Sequence, residues 1–149
     1  MNKTYHKIAK YISILTCLSL FVFNYTFANY AFKKKIKSVC SSYRVPVNAS
    51  SMEFDSNLFS LTLESNRNNF EMVMLVGFAS AGQAVSHQNN LGLSNAYVPQ
   101  EISIRVNVPS SKGETMVFEA TCSSNDAIQL AAGTLDSSEF MQKIDLQTS

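Results

Sequence analysis

Residues 101–122 read EISIRVNVPSSKGETMVFEATC, and this stretch decides the fold. Apolar side chains occupy every second position over residues 102–108 and again over residues 116–122. A period of two is typical of a strand with one buried face. The residues between the two runs, 109–113, read PSSKG and have the composition of a turn. The stretch therefore predicts a β-hairpin.

One strand and one long helix are predicted before the hairpin. Phe59, Leu61 and Leu63 alternate with polar residues, which indicates a strand with one buried face. Asn68 is followed by an acid three residues later, which is typical of a helix start, and the helix should continue to about His87. Its first half is apolar nearly all round, as expected of a helix that is buried on more than one side.

Two short helices are predicted after the hairpin. Ser123 with Asp126 indicates the start of the first, which should end near Gly133. Asp136 with Glu139 indicates the start of the second. The expected fold is α+β, in the order β-α-β-β-α-α. We expect a two-layer sandwich in which one long and two short helices cover a mostly antiparallel sheet of three to four strands.

Two details of the sheet stay open. Short extended pieces at residues 44–47 and 52–54 are candidates for an edge strand. The strand–helix–strand connection before the hairpin allows one parallel pair, which would be right-handed.

The N-terminus has the three-part composition of a targeting signal. Residues 1–10 carry three lysines and no acid, and residues 12–23 are apolar. Residues 26–28 then supply small side chains at the −3 and −1 positions of a cleavage site. This layout predicts a secretory signal peptide over residues 1–28. The alternative is an uncleaved membrane anchor over residues 11–32.

Four lysines follow the apolar run: Lys33, Lys34, Lys35 and Lys37. Such a cluster resists translocation, and it also suits contact with anionic headgroups. We expect an exported protein, periplasmic or secreted, or one that is anchored by its N-terminal segment and touches the membrane through residues 11–37. The lysines belong to a basic and polar segment at residues 29–57, and a single α+β domain is expected at residues 58–149.

Charge separates this N-terminal part from the rest of the chain. From Tyr43 onward there are five basic and eleven acidic residues. A nucleic-acid-binding domain needs a basic surface that displaces counterions from phosphates. The predicted domain is acidic, so we expect no nucleic-acid partner.

Cys40 and Cys122 remain after removal of a signal peptide that contains Cys17. An even number of cysteines in an exported chain favours a disulfide, here Cys40 to Cys122. Such a bridge would close a loop of about eighty residues and stabilise the fold by roughly 4.5 kcal/mol in the chain-entropy model. The alternative is a pair of free thiols. Two cysteines and one histidine are too few for a structural zinc site.

Catalytic motifs are absent from the sequence, and we expect no catalytic residue, cofactor or metal. His87 is the only histidine after residue 28, and a helix C-terminus is explanation enough for it. A hydrolase that uses His87 is the weakest of the functional hypotheses. Glu64, Arg105 and Glu119 should share the polar face of the sheet, where a carboxylate pair for acid–base chemistry is conceivable but a solvated charged surface is commoner.

Small residues of the long helix, among them Gly77 and Gly82, suit close packing against the protein's own sheet or against a partner. Four apolar residues of the same helix lie off its main stripe and form a candidate interaction surface: Met72, Leu75, Val76 and Ala79. We therefore expect a non-enzymatic envelope protein that works through a protein partner or as a homo-oligomer.

A small periplasmic or secreted domain that binds an apolar ligand is the main alternative. Its pocket would lie between the long helix and the sheet. Four side chains would line it: Met72, Met74, Phe78 and Phe118.

Overall fold

The computed structural model describes residues 29–110 and 113–149. The predicted signal peptide, with Cys17, lies outside the described residues, as do the two residues at the centre of the hairpin turn. A helix, α1, covers residues 29–42 of the described chain. The later helices are α2 (Phe70–Leu91), α3 (Ser124–Ala132) and α4 (Ser137–Lys143), and a 3-10 turn covers Ala49–Ser51. The strands are β1 (Met52–Phe54), β2 (Leu58–Glu64), β3 (Glu101–Pro109), β4 (Thr115–Ser123) and β5 (Gln147–Thr148).

The α+β class is confirmed, but the sheet is larger than predicted and mixed. Its five strands lie in chain order, β1-β2-β3-β4-β5. β2 and β3 are parallel, whereas the other neighbouring pairs are antiparallel. The parallel pair arises because α2 carries the chain back to the end of the sheet at which β2 began. β1 adds the edge strand at residues 52–54, and β5 has only two residues, too few to show a period of two.

One face of the sheet is apolar and the other is polar. The register aligns Leu61 of β2 with Ile104 of β3, and Ile104 with Ala120 of β4. All three side chains are buried in the core. The opposite face carries Arg105 and Glu119, which are directly paired across β3 and β4. The hairpin is therefore confirmed, with the inward and outward faces that its sequence predicts.

Helix α2 crosses the apolar face of the sheet at close range. A Cβ added at Gly77 would lie 2.9 Å from Cγ2 of Ile104, so the glycine allows the helix backbone to approach the sheet. The helix ends at Leu91, one turn beyond the predicted end at His87, and Gly92 terminates it in the left-handed conformation (φ 60°). The predicted cap at its start is wrong, because the N-cap is Asn69 and its side chain makes no capping hydrogen bond.

Helix α1 packs into the same hydrophobic core. Phe32, Ile36, Val39 and Cys40 are buried, and their spacing places them on one side of a helix. The composition of residues 29–57 predicts a basic and polar segment outside the domain at 58–149. In the structure the lysines of this segment occupy the outer side of α1, while its apolar stripe belongs to the domain.

The two short helices begin as predicted. The Ser123 hydroxyl accepts a hydrogen bond from the Asp126 amide and donates one to the Asp126 carboxylate. The Asp136 carboxylate accepts a hydrogen bond from the Ser138 amide. Gly133 ends α3 with a positive φ of 72°, at the position where the sequence predicts a helix end.

Candidate functional site

The apolar surface that the sequence predicts on α2 lines a groove. Met72, Leu75, Val76 and Ala79 form its floor along the helix. Tyr43, just after α1, forms one wall, and Leu130 of α3 with Ser137 of α4 forms the other. We call these seven residues the α2 groove. Its volume is about 230 Å³, which is room for one or two side chains of a partner rather than for a whole helix.

The position of α2 between two neighbours explains why the groove exists. α1 packs along one side of α2, where the buried Cys40 side chain forms a hydrogen bond with the Ser80 side chain. α3 packs along the other side, where Gly82 lies against the backbone of Ala127. Neither neighbour covers the outer surface near the start of α2. Met72 consequently keeps 45% of its surface exposed, although Val76, one turn later, keeps only 6%.

The groove is suited to contact rather than to chemistry. Six of its seven lining residues are apolar or aromatic, and the Tyr43 hydroxyl is the only ionisable group among them. Exposed acids flank the lining residues in sequence. Glu71 precedes Met72, Asp136 precedes Ser137, and Glu139 follows Ser137 in the first turn of α4. One exposed base, Arg44, follows Tyr43. An apolar groove with a mostly acidic surround favours an apolar segment with basic flanks.

The charged pair on the polar face of the sheet is an ion pair in solvent. Nη2 of Arg105 lies 2.9 Å from a carboxylate oxygen of Glu119, and the Ser103 hydroxyl donates to the other oxygen at 3.0 Å. The hydrogen bond from Arg105 lowers the pKa of Glu119, with further lowering by Ser103. The side chain of Glu64 accepts a hydrogen bond from Asn107 instead. A carboxyl group with a lowered pKa is ill suited to act as a general acid.

Cys40 and Cys122 are free thiols in the structure, and the disulfide between them stays a prediction. They belong to different neighbourhoods of the core. Cys40 lies on α1 at the Ser80 side of α2, and Cys122 lies on β4 beside the start of α3. Burial raises the pKa of both thiols, and with the charge of Asp126 it brings that of Cys122 to about 12.

His87 lies on the exposed outer surface of α2. It lines two shallow pockets, one with Gln83, Ser86 and Asn90 of its own helix and one with Tyr30 and Lys34 of α1. Lys35 contributes to both, and no Asp or Glu lines either of them. Among the described residues, no carboxylate therefore lines these pockets to orient the imidazole as a base. The predicted location at the helix C-terminus is wrong, because the helix continues for another turn.

Three of the four residues expected to line an apolar ligand pocket belong to one cluster. Met74 and Phe78 are fully buried in the core, and Phe118 packs against that core and stacks on Phe70, with ring centroids 4.0 Å apart. Met72 lies in the α2 groove instead. A ligand pocket between α2 and the sheet stays a prediction.

Among residues 29–110 and 113–149, no three His, Cys, Asp or Glu side chains are grouped so that they could hold a metal ion. In the same part of the chain, no helix has the length and apolarity needed to cross a membrane. No protein-family model, curated protein or solved structure matches this chain. Function must therefore be argued from the residues themselves.

Proposed function

We propose that this protein is a non-enzymatic domain of the cell envelope that binds another protein through the α2 groove. The N-terminal segment exports the domain, to the periplasm or the exterior, or anchors it in the membrane. One observation carries the proposal: Met72, at the apolar start of α2, keeps 45% of its surface exposed in a groove between Tyr43 and Leu130. Apolar surface that a fold leaves uncovered commonly marks a contact with a partner.

The shape and the charge of the groove define the partner. A groove of this volume accepts an extended segment that inserts one or two apolar side chains. The exposed carboxylates of Glu71, Asp136 and Glu139 around it favour lysine or arginine beside those side chains. We infer that the partner presents a short apolar motif with basic flanks.

The site can be tested with peptides displayed on phage and selected on the full chain. We expect the selected peptides to share an apolar residue flanked by Lys or Arg. Ala79→Glu places a charge in the groove and should weaken their binding by about tenfold or more, which corresponds to at least 1.4 kcal/mol. Gln83→Glu, one turn further along the same helix and outside the groove, is the matched control and should leave binding unchanged.

Two results would contradict the proposal. Peptides that bind Ala79→Glu as well as the original chain would show that the groove is not the site. Self-association seen by light scattering, lost in Ala79→Glu but kept in Gln83→Glu, would make the occupant a second copy of the chain instead of a different protein.

A further inference from the structure

Four parts of the fold meet at one end of the molecule. The ring of Phe32, in the first turn of the described part of α1, lies 5.2 Å from the ring of Tyr97, in the loop after α2. The single Tyr97 hydroxyl proton is shared between the backbone oxygens of Asp55 and Leu58, which lie 2.8 and 3.1 Å from the hydroxyl oxygen. The start of α1, the end of α2, the turn before β2 and the loop at residues 92–100 therefore share this end, which we call the α1 end.

Exposed apolar side chains are concentrated at the α1 end. Tyr30 has 65% of its surface exposed, Leu93 has 52%, and Leu91 and Val98 have more than 40% each. Three of these residues belong to one short segment, residues 91–98. The hydrogen bonds of Tyr97 fix the position of this segment on the domain. Its apolar side chains are therefore ordered and also exposed.

The start of α1 is basic, in contrast to the acidic remainder of the domain. Lys34 is exposed on α1, and Lys35 lies beside His87 of α2. Lys33 extends over the ring of Phe54, with Nζ 5.0 Å from its centroid. Within residues 29–110 and 113–149, none of these lysines forms an ion pair with a carboxylate.

Acids also belong to this end: Asp55 before β2, Glu101 at the start of β3 and Asp126 at the start of α3, where Ser124 bonds to the loop at residues 92–100. The carboxylate of Asp55 accepts hydrogen bonds from the amide and hydroxyl of Ser56, and Asp126 forms an ion pair with Lys143. The basic character of the α1 end is therefore local to the first turns of α1, at Lys33, Lys34 and Lys35.

The chain itself indicates what lies opposite the α1 end. Residue 29, the first described residue, is located here, and it is preceded by 28 residues that include the apolar run at 12–23. Phe32 is fully buried in the core and is thus not available to a bilayer. A bilayer that accepts the preceding segment must lie within a few residues of the α1 end.

We propose that the α1 end is a membrane-apposed surface, on which Leu91, Leu93 and Val98 enter the interface of an anionic lipid bilayer while the lysines of α1 contact the headgroups. Exposed apolar residues beside a basic cluster are the combination that binds anionic membrane surfaces. This inference rests on the membrane-engaging N-terminus of the proposed function, and it adds a fixed orientation of the domain: the sheet and helices stand with the α2 groove away from the membrane.

The chain contains no tryptophan, so a single introduced tryptophan reports on its own position. The full chain is reconstituted into vesicles with brominated acyl chains, once as Leu93→Trp and once as Tyr43→Trp. Tyr43 is exposed and follows α1 at its far end, about 20 Å from Tyr30 at 1.5 Å per residue.

We expect strong quenching and a blue-shifted emission at position 93 and neither at position 43. Quenching at position 93 should be about twofold stronger in vesicles with phosphatidylserine than in phosphatidylcholine alone, and Lys33→Gln with Lys34→Gln should remove this difference.

Flotation of the same vesicles separates two kinds of failure. Equal quenching at the two positions, or no quenching at position 93, overturns the orientation when all variants float with the vesicles. Failure of every variant to float overturns the membrane-engaging N-terminus and this inference together. Neither result bears on peptide binding in the α2 groove, which is tested separately.

Discussion

Gly82 of α2 lies directly against the backbone carbonyl of Ala127 in α3. A Cβ at position 82 would overlap the carbonyl oxygen and carbon of Ala127. The two helices approach this closely only because position 82 has no side chain. The small residues of α2 therefore serve two contacts within the domain: Gly77 against the sheet and Gly82 against α3.

Gly82→Ala is expected to destabilise the protein by about 3 kcal/mol, because backbone atoms of α3 must move to admit the methyl group. The matched control is Gly77→Ala, in the same helix. There the new Cβ meets side-chain atoms of Ile104 and Leu63, which can adjust, and the greater helix propensity of alanine offsets up to about 1 kcal/mol. Urea unfolding of both variants checks this. Equal destabilisation by the two substitutions would contradict the close contact with α3.

Phe32→Ala is expected to cost about 3–5 kcal/mol of folding free energy. The Phe32 ring is fully buried and packs edge-on against Phe54 and Phe59. Tyr30→Ala, two residues earlier and largely exposed, should change stability by no more than about 0.5 kcal/mol. Thermal unfolding of the two variants compares them. A Phe32→Ala protein as stable as Tyr30→Ala would show that α1 is not part of the folded core.

Both core cysteines are expected to resist alkylation in the native protein at pH 8. Burial holds the pKa of Cys40 above its usual value and that of Cys122 at about 12, so very little of the reactive thiolate is present. Iodoacetamide should label both residues only after unfolding in guanidinium chloride, as read by mass spectrometry of the digest. Dithiothreitol should leave the Tm unchanged. A peptide pair linked through Cys40 and Cys122 in the non-reduced digest would contradict the free thiols.

Glu119 is expected to contribute to the acid dependence of stability. Its folded-state pKa is lowered from the usual 4.5, chiefly by the hydrogen bond from Arg105. The contribution is therefore fully present above pH 4.5 and is lost as the pH falls through the lowered value. Glu119→Gln should flatten this part of the stability–pH curve measured by urea unfolding. Arg105→Gln removes the hydrogen-bond donor and should flatten the same part of the curve; an unchanged slope in Arg105→Gln would show that the pair is not responsible.

The strands of the hairpin and the long helix could be predicted because their signals are local. In β3 and β4, the polarity of each residue indicates which face of the sheet it occupies. Gly133 and Asp136 mark a helix end and a helix start through the backbone next to them. The same local reasoning identified Met72, Leu75, Val76 and Ala79 as surplus apolar surface on α2. It could not show that Tyr43, Leu130 and Ser137 complete a groove around them, because these residues are distant in sequence.

Helix α1 was not predicted, and the reason is physical. Its buried residues share one side of the helix, at Phe32, Ile36, Val39 and Cys40, but lysines fill four of the five positions between them. The lysine cluster indicated a basic and polar segment outside the folded domain. The buried stripe becomes apparent only when the core to which it packs is known. β5 was also not predicted, because its pairing with Phe118 and Glu119 depends on the partner strand rather than on its own two residues.

By itself, the sequence determined the α+β class, the hairpin and its two faces, and the apolar excess at the start of α2, because these follow from the periodicity of neighbouring residues. Only the tertiary structure decided that β2 and β3 are parallel, that Cys40 and Cys122 lie in different neighbourhoods of the core, and which end of the domain adjoins the N-terminal segment. Those properties depend on contacts between residues far apart in the chain, and such contacts are set by how the helices pack on the sheet.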